Sequence, residues 1–437
     1  MKKSKGDYTG IQNYTRKTAK INFKDPTLTK PLPGKSYAPS AILPDIASAL
    51  LLGKRSAREI SKHHKNTRYK LGLTKALSRS TIGDLLNEER TSAKLQKDLL
   101  SIFMVANNLR ILTTFPKTGC IVALIDGIDW GKVHEGDGHC EYCLERIVDG
   151  KITYFHRLVV LSVVSKYGAM PIYFRFCRMK EITVDPKKVS EAKFKEEGEL
   201  SCAKEMMIEI AGKFGGRLPF DVVASDALMA NAPFMELIEA LGSAGIFIFK
   251  QENRKLFKQA KSDFCGNSFG FNIMKEHWGQ DPSNKGRTFD SQWSTYIDLN
   301  RKGENKNVKI FETTRKETDG STSTTLSIAS DRAFITPSLV EIARYQKWRS
   351  LENGVFNELT NNWNTFKHIF FHKKYAFISM ITLIFIIFIV SNFYRYGNLT
   401  RGNRRFQGTL RDFFETMQST FNSLRSKTLL NIRCQSP

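Results

Sequence analysis

Acid is what this sequence has too little of. Its 43 Asp and Glu face 67 Lys and Arg, a formal net charge of +24 over 437 residues. That shortage excludes an electrically neutral surface. It points to a polyanionic partner, either nucleic acid or an anionic membrane face. The imbalance sits at the ends. Residues 1–100 carry 21 basic against 8 acidic side chains and residues 391–437 carry 8 against 2, while the middle is nearer balance. Basic ends around a more neutral centre suit a core gripped onto a long anion; the competing reading is of solvated tails.

A disulfide framework is also missing. The seven cysteines (120, 140, 143, 177, 202, 265 and 434) are odd in number, and several stand inside apolar runs, which points to a reducing compartment. No apolar stretch follows the basic start "MKKSKGDYTG", so it does not read as a secretory signal. There is no internal repeat. A single Cys-x-x-Cys, in "HCEYC", has no second matching pair. His139, Cys140 and Cys143 with His134 or His156 could supply four zinc ligands, but a structural thiol pair is the better reading of an unmatched pair.

Charge is absent altogether from Tyr375 to Tyr394, "YAFISMITLIFIIFIVSNFY", twenty residues that could span a bilayer by length alone. The segment begins only 23 residues after Glu352, with no long linker between. The expectation is therefore a buried core helix and no membrane. A membrane-anchored basic protein is the competing reading.

The chain divides by composition. Residues 1–40 are polar, basic and expected to be poorly ordered. Residues 41–115 read as helical, with Gly53 as a C-cap and Ser78 or Ser80 as an N-cap, either a DNA-binding module or a plain helical bundle. From 116 to 255 the order reads β-β-β-α-β-α-β, a mixed α/β sheet flanked by helices. Residues 256–337 read as a β-rich insertion, 338–400 as a return to core helices, and 401–437 as a basic tail.

Two apolar strands run into an aspartate, "CIVALID" at Asp126 and "FDVVASD" at Asp226. A carboxylate at the end of a buried strand is costly unless something holds it. The helix from 338 carries Glu352 with Tyr345 seven residues before it and Arg349 three before it, so α-helical spacing puts the three on one side. Three gathered carboxylates repel unless cations lie between them. Mg²⁺ or Mn²⁺ is the natural choice for oxygen donors, and two ions suit in-line displacement at a phosphodiester. Taken one at a time, Asp126 reads as a turn residue in Asp-Gly, Asp226 as a helix N-cap and Glu352 as a solvated acid. Asp129 is the likeliest decoy, placed in a loop. Arg146, Arg175 and Arg178 either touch phosphate or flank strands.

The succession "LIDG", "SDALMANAPFMELIEALGSAGIFIFK", a β-rich insertion and "YQKWRSLENGVFNELTNNW" resembles the DDE transposases of bacterial insertion sequences over roughly residues 40–400. The resemblance implies a ribonuclease H-like core, and a transposase that cleaves element ends and joins the freed 3′-OH to target DNA. It implies Asp126, Asp226 and Glu352 as catalytic metal ligands. Tyr345, Arg349 and Lys367 become DNA contacts, and double-stranded DNA and a homodimer the partners, in the bacterial cytoplasm at the nucleoid. The chain departs from the pattern at two places. Trp348 and Arg349 stand in inverted order, and Leu359 takes the slot of a lysine, with Lys367 as its substitute. A DNA-binding relic with little catalysis is the alternative those departures suggest.

Overall fold

The computed structural model describes residues 26–31, 38–67, 77–112, 119–133, 141–149, 151–181, 194–250, 252–266, 273–279, 287–299, 305–367, 370–371, 373–398, 413 and 415–419. The helices are α1 (Pro26–Thr29), α2 (Pro39–Leu51), α3 (Ala57–Thr67), α4 (Arg79–Leu86), α5 (Glu89–Asn108), α6 (Glu199–Lys213), α7 (Ala232–Ala240), α8 (Lys255–Phe264), α9 (Pro337–Gln346) and α10 (Lys374–Asn392). The strands are β1 (Val122–Val133), β2 (Leu144–Val148), β3 (Lys151–Ser165), β4 (Gly168–Phe176), β5 (Met179–Glu181), β6 (Phe194–Glu196), β7 (Val222–Ser225), β8 (Ala244–Ile248), β9 (Met274–Gly279), β10 (Thr288–Leu299), β11 (Asn305–Lys316) and β12 (Thr322–Ser330).

Among the described residues ten strands form one mixed sheet, in the order β2-β3-β1-β7-β8-β12-β11-β10-β9, with β4 sharing the outer edge of β3 with β2. β1, β3 and β4 are antiparallel; β7 and β8 run parallel to β1. The apolar runs explain the centre. Val122–Ile125, Leu158–Leu161 and Val222–Ala224 are all buried, as strands covered on both faces must be. β5 and β6 form a separate short hairpin.

The stretch 256–337 opens with α8, and its four strands do not stand apart. β12 pairs antiparallel with β8, so β9–β12 prolong the central sheet. The reason is an open edge. β8 is bonded to β7 on one side only and takes β12 on the other.

One face of the sheet carries α6, packed on β3 and β4; the other carries α9, its continuation and α10. Helix α10 is buried from Ala376 to Ser391 with Ile378 alone part-exposed. Helices α2, α4 and α5 pack against it, as does β4, and α5 also reaches β4. Its start is tied by side chains. The backbone N–H groups of Tyr375 and Ala376 donate to Asn87 Oδ1 at 3.1 and 3.3 Å, and Ser379 Oγ donates to the Leu86 carbonyl at 2.8 Å. These bonds satisfy donors that a buried helix end would otherwise leave orphaned. The core-helix expectation thus agrees with the packing, and the N-terminal helices are what supply the cover.

Candidate active site

Strand β1 does not stop at Asp126. It continues to Val133, so Asp126-Gly127 lies in extended backbone and forms no turn. It is β7 that stops. The parallel register pairs Val122–Leu124 with Val222–Ala224, an offset of one hundred residues, and β7 ends at Ser225. Ser225 Oγ donates to the Ile125 carbonyl at 2.9 Å and closes the seam. Asp126 and Asp226 therefore stand level with each other just beyond the last parallel pair, where strand ends leave an open crevice. Asp226 also caps the short helical turn Ala227–Met229, accepting a bond from the Leu228 N–H at 3.1 Å.

Glu352 comes from the other face. α9 starts at its N-cap Thr336, whose hydroxyl accepts from the Leu339 N–H at 3.3 Å, with Pro337 at the first helical position. After Gln346 the helix widens into a π-helix, Lys347–Phe356, closed by the Asn357 N–H donating to the Glu352 carbonyl five residues back. Such wide turns concentrate at functional sites. An i→i+5 ladder stacks residues five apart, which in an α-helix would point about 140° away from each other. Lys347 and Glu352 are such a pair.

Lys347 is the hub. Its ammonium donates to Glu352 Oε1 at 2.7 Å and lies 3.3 Å from Asp126 Oδ2. It is 5% exposed. Burial alone would push this lysine down, but the charges of Asp126, Glu352 and Asp226 outweigh it and hold the group above the ordinary lysine range. Asp126 is pushed up to about 6, first by burial and then by Asp226 and Glu352, against the pull of Lys347. The residues of strand, strand end and helix thus form one electrostatic unit.

Lys347 itself was not a sequence candidate, because α-helical spacing does not align it with Glu352. The same winding separates the residues that spacing had joined. Tyr345 and Arg349 pair with each other, Arg349 Nη1 donating to Tyr345 Oη at 3.0 Å, and Tyr345 lies beside Arg287 at the edge of β10. Among the described residues no polar contact joins either of them, or the exposed Lys367, to the three carboxylates. Trp348 is exposed and Leu359 fully buried.

Asp129 lies in strand β1 and is held by Arg157 at 2.8 Å and Arg146 at 3.2 Å; the loop expected for it does not occur. Arg175 is engaged by Glu205 and Glu209 on α6. Gly127 faces α6, and the Glu199 carboxylate packs against it where any side chain would intrude.

His134, His139 and Cys140 lie outside the described residues. The two described members of that group, Cys143 and His156, are buried with Sγ 3.4 Å from Nε2. Among the described residues no three His, Cys, Asp or Glu side chains are grouped to hold one metal ion. In donor chemistry the three carboxylates suit a hard divalent cation. In arrangement they fit two bridging ions poorly, since the Lys347 ammonium fills the gap between Asp126 and Glu352. The gap between Asp126 and Asp226 carries like charge, with no lysine bonded to Asp226 among the described residues.

No family model matches this chain, and no curated protein matches it. Among solved structures it is similar to a piggyBac transposase in a synaptic complex with hairpin DNA. The match has 11% sequence identity and a TM-score of 0.40, and covers 100% of this chain and 83% of that one.

Proposed function

We propose that the chain is a DNA transposase, cutting phosphodiester bonds at the ends of its own element and joining the freed 3′-OH to target DNA. The observation that carries this reading is the meeting of Asp126, Asp226 and Glu352 around Lys347. Those residues come from three distant stretches of a strongly basic chain, and the sequence resemblance names the same three acids. The order β4-β3-β1-β7-β8, with the first aspartate on β1 and the second after β7, supports a ribonuclease H-like core.

In this reading Asp126 and Asp226 hold Mg²⁺ or Mn²⁺, which supplies Lewis-acid polarisation of the scissile phosphodiester. The chain does the rest. Ser225 fixes the end of β7 against β1, and so the spacing of the aspartates. Lys347 holds Glu352 against Asp126. The basic ends grip the phosphate backbone, with affinity that falls as salt rises. We place the protein in the bacterial cytoplasm at the nucleoid, acting as a homodimer with one chain per element end. Buried Leu359 favours a second reading, a DNA-binding relic, because it cannot lend a charge to phosphate. Cleavage of DNA carrying the sequences that flank its reading frame separates the two: an enzyme frees a 3′-OH only with the divalent ion, and a relic binds without cutting.

A further inference from the structure

Lys347 has three N–H donors, as any ammonium does. Two are directed at Glu352 Oε1 and Asp126 Oδ2. Among the described residues no further protein acceptor meets the third. The group is buried, with a carboxylate oxygen at 2.7 Å on one side and at 3.3 Å on the other. Removing a charge from such a cluster leaves the others uncompensated, so a lysine tied on two sides is a fixture of the site. It is also placed where a cation is wanted, between two of the three carboxylates.

We propose that Lys347 is the resident cation of this active site and takes the place of one of two divalent ions. The chain then works with a single ion, held by Asp126 and Asp226, and the free N–H of Lys347 meets a non-bridging oxygen of the phosphodiester. This rests on the transposase reading above. In the cutting step a water oxygen bonds to phosphorus and the P–O3′ bond breaks. The 3′ oxygen leaves with the bonding electron pair and takes a proton from solvent, and the water's proton passes to solvent. Lys347 keeps its protons throughout and neutralises charge on the phosphate. Glu352 becomes a positioning residue that acts through Lys347.

Mn²⁺ titration of the full chain by calorimetry, with electron paramagnetic resonance of the bound ion, tests this. The expected result is one Mn²⁺ per chain with an uncoupled signal, rising to two per chain in Lys347→Gln, where the gap opens. Should that variant fail to fold, Glu352→Gln decides. It keeps one Mn²⁺ per chain if Glu352 serves Lys347, and loses an ion if Glu352 is a metal ligand. Two coupled ions in the wild type, or an ion lost in Glu352→Gln, overturns the inference and leaves the transposase reading standing. A wild type that binds no ion removes the metal reading and this inference with it.

Discussion

Lys347 and Glu352 stand five residues apart in sequence, and their side chains meet at 2.7 Å. That contact exists because the helix bearing them is wound wide from Lys347 to Phe356. The winding brings an ammonium between Asp126, delivered by a strand, and Glu352, delivered by the helix. Tyr345, on α9 before the winding starts, bonds instead to Arg349 four residues on.

The placement of Asp126 gives the metal-free protein an unusual pH dependence. Its folded carboxyl titrates at about 6, against 3.8 ordinarily. The folded state therefore holds this proton more tightly than the unfolded state. The corresponding stability is fully present below about 3.8 and is lost as pH rises to about 6. The difference amounts to about 3 kcal/mol. Urea melts of wild type and Asp126→Asn from pH 4 to 7.5 should diverge across that window, the variant gaining on the wild type as pH rises. Parallel curves would mean that Asp126 is not under this pressure.

Gly127 is where the strand lets α6 approach. A methyl group there would press on the Glu199 carboxylate, which can swing away only by leaving Arg157, 3.5 Å distant. Gly127→Ala should cost about 1–2 kcal/mol. In a Glu199→Ala background the same change should cost clearly less, because the carboxylate nearest the new methyl group is gone. A double-mutant cycle of denaturation midpoints reads the coupling; additive effects would show that Glu199 is not the obstacle.

Helix α10 is held by packing on every side, so a charge in its middle has nowhere to go. Ile384 is fully buried. Ile384→Lys should leave no soluble folded protein, and Ile384→Ala should fold but lose about 2–5 kcal/mol. Thermal melts of the purified alanine variant measure the second figure. A lysine variant with wild-type stability would show that this helix side is open to solvent.

Much of the sheet was legible in the sequence because apolar runs of strand length are its direct imprint. "CIVALID" and "FDVVASD" announce β1 and β7, and the acids after them mark where covering stops. Where β1 ends was not legible: a strand persists as long as a neighbour bonds it, and β3 runs beside β1 to Val133, a partnership no local pattern records. The extension of the sheet by β12 was hidden for the same reason, being a choice made by the open edge of β8. Lys347 escaped because helical reasoning assumes 3.6 residues per turn, and the apolar spacing of 338–359 does not distinguish α from π winding.

The most direct measurement is cleavage of duplex DNA carrying the sequences that flank the reading frame, with Mg²⁺, by the full chain and by Asp126→Asn, Asp226→Asn and Glu352→Gln. The expected result is a 3′-OH released by the wild type. Each variant should lose at least about a hundredfold in rate, on the scale of a lost electrostatic group, while retaining DNA affinity. Cleavage near the wild-type rate in any one of the three would contradict the shared site.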